Sequence, residues 1–276
     1  MSSAIESVSL PRLAERGRLT QARVALSEWT KFVSLRSTRW SLGVGILLTI
    51  ALPIVFAAVT ASHWAHTSAA DRAERHPLDI ALAGVNAAQL AIAVLGVLVI
   101  TGEYSTGMIR SSFIAVPKRL PVLWAKVGVF AAVSFILTLP AVVIAFFASQ
   151  KILARHHILQ ISFGDPGVAR SVLGGALYVT LVGIFALGIG SIVRNTAGGI
   201  ATFAGIFFVI PPLLSILPTS WNDAISQYLP SNAGAQLFSL HHAAHSLSPT
   251  AGGLLMLGYS ALAVAVAAVL LVRRDA

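Results

Sequence analysis

Six long apolar runs alternate with short polar segments along this chain, at residues 40–61, 80–101, 127–149, 171–193, 197–217 and 251–272. None of the six contains Asp, Glu, Lys or Arg. A helix crossing about 30 Å of hydrocarbon needs about 20 mostly apolar residues, and every run meets that length. The pattern predicts six transmembrane helices. In the fifth run, Pro211 and Pro212 remove two backbone donors, so a kink or break is expected there.

A different periodicity precedes the first run. Residues 19–39 read as one amphipathic helix, with Leu26, Trp29 and Val33 on one face, Phe32 beside them, and Ser27, Thr30, Lys31, Ser34 and Thr38 opposite. Such a helix suits the membrane interface; the alternative is a soluble core helix, for which no soluble domain is available. Residues 1–18 show no pattern and are expected to be a disordered leader. Between the last two runs, Trp221, Ile225, Tyr228 and Leu229 are spaced for a short helix, and a second is expected after Pro230.

Composition agrees with the pattern. Of 276 residues, 56% are hydrophobic and 11% charged, against about 25% charged in soluble domains, and the mean hydropathy is +0.82. One membrane domain, residues 40–272, accounts for the chain, with 273–276 as a tail. The first run is too long for a signal-peptide core and follows a long basic leader, so no cleaved signal is expected. The absence of cysteine excludes disulfides, thiolate metal sites and cysteine nucleophiles. A formal charge of +9 would suggest nucleic acid in a soluble protein. Here the charges flank the apolar runs, so no nucleic-acid partner is expected. Fourteen of the nineteen Lys and Arg fall on the side of the N-terminus, which predicts that both termini are cytoplasmic.

The bend at residues 100–126 is the richest polar segment. It gathers Glu103, Arg110, Lys118, Arg119 and Lys126, with Gly102 and Gly107 framing a turn and Pro117 and Pro121 bracketing Lys118 and Arg119. Residues 105–115 are expected to form a short helix parallel to the membrane. Met108, Ile109 and Phe113 would be its apolar anchors and Arg110 its polar one in a groove on a partner. The other reading is a loop whose charges only set topology, and the residues alone leave both open.

Three segments carry a resemblance. GVLVITGEYSTGMIRSSFIAVPKRLPVLWAK around the bend, ALSEWTKFVSLRSTRW before the first run and YLPSNAG before the last resemble, in order and spacing, the membrane subunits of type-2 ATP-binding-cassette exporters, particularly actinobacterial ones. The resemblance implies a multi-pass permease subunit of the bacterial plasma membrane. It would pair with a second permease, identical or related, above two copies of a separate ABC ATPase subunit. The bend would be the coupling helix. Its contact surface would include Glu103, Tyr104, Met108, Ile109, Arg110, Phe113, Lys118 and Arg119, while Glu28, Trp29, Lys31 and Arg36 would serve the same face or the membrane surface. Glu103 would pair with Arg36, Arg39 or the ATPase, or simply face water. The chain has no G-x-x-x-x-G-K-[ST] loop, so hydrolysis, with ATP and Mg, is expected on the partner; no cofactor and no enzymatic activity are assigned to this chain.

The remaining polar residues offer alternatives. All eight histidines (His63, His66, His76, His156, His157, His241, His242 and His245) fall on the predicted outer side. Two pairs have spacings that let imidazoles share a metal, but no third ligand is evident, so no metal site is assigned. With Asp79, Asp165 or Asp223 they would be the acid–base groups of a membrane-embedded enzyme. An ion-coupled secondary transporter is a further alternative, although such proteins usually carry ionisable residues inside their spans. Asn86 and Gln89, three apart in the second run, are candidates either to line a path or to bond a neighbouring helix. Gly183, Ala186, Gly190, Ala263 and Ala267 suit close helix packing.

Overall fold

A computed structural model describes residues 20–108, 119–158, 160–216, 218–240 and 246–273. Among these the regular structure is helical, and six helices are long and apolar enough to cross a membrane: Arg36–His66, Pro77–Ser105, Arg119–Arg155, Val168–Val193, Thr196–Leu214 and Pro249–Arg273. The expected all-α, six-span architecture is therefore present. Most of the helices outrun their apolar stretches, because backbone hydrogen bonding does not stop where hydrophobicity does. The third gains most. It begins at Arg119, and Pro121 and Lys126 lie inside it rather than in a bend. Residues 109–118, which hold Ile109, Arg110, Phe113 and Lys118, lie outside the described residues, as does the leader 1–18.

The second and fourth spans form the centre, with 61% and 72% of their apolar stretches buried, against 22% and 17% for the first and fifth. Small residues make this possible. A Cβ on Gly96 would stand 2.3 Å from the carbonyl oxygen of Gly183, and one on Gly183 would stand 2.6 Å from the Phe130 ring. Ala186, Gly190, Ala263 and Ala267 are buried at neighbouring crossings. Hydroxyls on these faces are satisfied locally: Thr101 Oγ1 donates to Val97 O, Thr180 Oγ1 to Ala176 O and Ser191 Oγ to Leu187 O.

The fifth span does not break at its prolines. Its α-helix Thr196–Ala204 runs into a π turn, Gly205–Val209, and resumes as Ile210–Leu214. Pro211 and Pro212 sit in the first turn of that last piece, where missing N–H groups cost least, and the wider turn before them absorbs the lost α-helical pairing. Between the fifth and sixth spans lie the two expected short helices, Thr219–Ser226 and Pro230–Ala235. The second rests on the sixth span, where a Cβ on Gly252 would stand 2.3 Å from Ala233 O.

The segment before the first span differs from expectation. It is a 14-residue helix, Gln21–Ser34, ended by extended backbone at Leu35, after which Arg36 begins the first span. Arg36 and Arg39 thus belong to the span and are exposed. Leu26, Trp29 and Val33 are exposed, while Val24, Glu28 and Phe32 form the buried face.

Candidate functional site: a buried charge network

The inward face of the leading helix carries a carboxylate, and burial of a carboxylate demands a partner. Glu28 is 4% exposed. It accepts from Lys126 Nζ at 2.5 Å through Oε2 and from Lys31 Nζ at 2.7 Å through Oε1. Glu103, also 4% exposed, accepts on Oε1 from Lys126 Nζ at 2.8 Å and from Lys31 Nζ at 3.1 Å. Among the described residues, two acids and two bases from three helices make a network of formal charge zero.

Local structure explains the meeting. Glu28 and Lys31 are three apart and share a helix face. Glu103 stands in the last turn of the second span, and Lys126 comes two turns into the third. Gln21 Nε2 donates to Pro121 O at 2.9 Å, and Phe32 meets Phe130 edge-to-face at 6.3 Å. These contacts seat the leading helix across the joint between the second and third spans.

Glu103 Oε2 is buried and has no hydrogen-bond partner among the described residues. Beside it is a cavity of about 10 Å³, lined by all four charged residues and Thr38, a size that holds one water. Burial alone would lower the pKa of Lys31, but the Glu28 hydrogen bond and the charges of Glu103 and Glu28 outweigh it, and the net direction is upward from 10.5. The network ties three helix ends together.

The other residues singled out by sequence separate. Glu103 pairs with lysines and not with Arg36 or Arg39, and it is buried. Glu28 and Lys31 turn inward, whereas Trp29, Arg36 and Met108 are exposed. Tyr104 is half-buried, with the Arg194 guanidinium 5.1 Å over its ring. Arg119 donates to Leu271 O at 3.0 Å and so joins the third span to the end of the sixth. Asn86 and Gln89 do not act together: Asn86 is exposed, while buried Gln89 accepts from Tyr178 Oη at 2.5 Å. Gln89 thus bonds the second span to the fourth.

Among the described residues no group of three His, Asp or Glu is placed to hold a metal; His241, His242 and His245 lie outside them. Sequence reasoning missed Lys126 as a buried partner. The available signal was its position directly against the third apolar run. Compared with family models, curated proteins and solved structures, the chain finds no match.

Proposed function

We propose that this chain is the permease subunit of an ABC-type exporter, driven by a separate ATPase through the segment between its second and third spans. The observation that carries the reading is the bond between Glu103 and Lys126, 23 positions apart on the two arms of that segment, shared with the leading helix. A push on residues 109–118 would then move three helices as one body instead of bending a loop. Coupling by rigid-body motion needs such stiffness. The resemblance of the three sequence segments supports the same reading. The low burial of the first and fifth spans leaves faces for a second permease.

On this reading Glu103 is a positioning residue, and contact with the ATPase falls to Met108, Ile109, Arg110 and Phe113. The chain sits in the bacterial plasma membrane with both termini cytoplasmic. It hydrolyses nothing itself. The test is co-expression with the product of a neighbouring reading frame that carries a phosphate loop. Co-purification is expected, and Arg110→Glu should abolish it without changing the melting temperature of the chain. A chain that never recruits an ATPase, or an Arg110→Glu variant that recruits it normally, would refute the proposal.

A further inference from the structure

At the end of the bundle opposite the charge network, the fourth and sixth spans part and leave a groove of about 480 Å³. Its walls are Leu173, Leu177 and Leu181 on one side and Leu254 and Leu257 on the other, with Leu237 as the floor near its mouth. Close packing of Leu237 depends on glycine: a Cβ on Gly174 would stand 2.0 Å from Leu237 O, and one on Gly253 would stand 2.5 Å from its Cδ2. Four of the leucines, 173, 177, 254 and 257, are exposed.

Arg170 stands at the mouth. Its guanidinium donates to Leu237 O at 3.2 Å, to Ser239 O at 2.8 Å and to Ser171 Oγ at 3.4 Å. That uses three of its five donors, and no carboxylate lies within ion-pair distance of it among the described residues. Its carbonyl and hydroxyl partners are neutral, so the charge stays uncompensated while the side chain is held in place.

We propose that this groove binds one bilayer phospholipid, with an acyl chain between the fourth and sixth spans and the phosphate on Arg170. The dimensions fit. The eleven helical rises from Arg170 to Leu181 span about 16 Å, and one leaflet of a 30 Å hydrocarbon core is about 15 Å deep. The charges fit as well, because a cation fixed above an apolar slot matches an amphiphile with an anionic head. This assignment does not depend on the permease reading.

The test uses the full chain in nanodiscs of phosphatidylglycerol, and separately in discs doped with diacylglycerol of the same acyl chains, followed by native mass spectrometry. One phosphatidylglycerol should remain per chain, and diacylglycerol should be lost. Arg170→Gln should weaken retention about tenfold, the worth of one charge-assisted hydrogen bond. Because Arg170 also ties down residues 237 and 239, Leu177→Trp and Leu254→Trp provide an independent arm: each fills the groove from an exposed position and should also release the lipid. Equal retention of diacylglycerol, or retention unchanged in all three variants, would overturn the proposal. So would disulfide-linked dimers of Leu254→Cys in this otherwise cysteine-free chain, since they would show a second copy seated in the groove.

Discussion

Replacing Lys126 by Met tests the charge network most directly. Lys126 is 3% exposed and bonds both Glu28 at 2.5 Å and Glu103 at 2.8 Å. Methionine roughly keeps the volume but removes the charge, leaving two carboxylates against Lys31 alone. Breaking a buried ionic network from one side costs about 3–5 kcal/mol. The loss should be about 4 kcal/mol, and thermal melts in nanodiscs should show a drop of about 8–15 °C. Adding Glu103→Gln restores neutrality with the Glu28–Lys31 pair intact, and most of the loss should be recovered. A Lys126→Met variant that loses less than about 1 kcal/mol, or a double variant no more stable than Lys126→Met alone, would show that the network is not a buried neutral unit.

Three other predictions follow from the packing and the titration of Lys31. Its pKa is raised above 10.5 in the folded state, so its contribution is complete below about pH 10.5 and is lost as pH rises through the folded value. Clipping at Arg23 by an alkali-stable protease should increase above that pH, and Lys31→Arg, which does not titrate there, should delay it; identical profiles would refute the assignment. Gly96→Ala places a methyl 2.3 Å from Gly183 O and should destabilise by about 3 kcal/mol or more. Gly128→Ala meets nothing within 4 Å and should be neutral or stabilising by up to about 1 kcal/mol, as melts of the two variants will show. Tyr178→Phe leaves buried Gln89 Oε1 without its donor and should cost about 0.6–1.7 kcal/mol; a further loss on adding Gln89→Leu would contradict the pairing.

The spans were legible because hydrocarbon imposes a length and forbids charge, and both constraints are written in single residues. The two short helices before the sixth span were legible from proline placement and apolar spacing. What escaped was orientation. Periodicity in residues 20–34 separates two faces but does not say which is turned inward, and Glu28 with Lys31 reads like any solvated i, i+3 pair. Their partners stand 72 and 98 positions away, a separation that no local pattern reports. The same limit divided Asn86 from Gln89: three residues leave a 60° offset on a helix, enough to point one outward and the other at Tyr178. The arms of the bend were misjudged because polar sequence was equated with loop, whereas the third helix continues to Arg119.

The charge network also imposes an order on biosynthesis. Glu28 is made early, yet its partner Lys126 follows 98 residues later, behind two complete spans. Until the third span has entered the bilayer, Glu28 has Lys31 of its own helix but not the Lys126 ammonium it is buried against, so the leading helix must stay at the membrane surface. Its docking is therefore a late step, and a chain truncated before Lys126 should present that helix undocked to proteases and chaperones. Quality control then has a simple readout in this chain: a seated leading helix reports that the first three spans have been inserted in register.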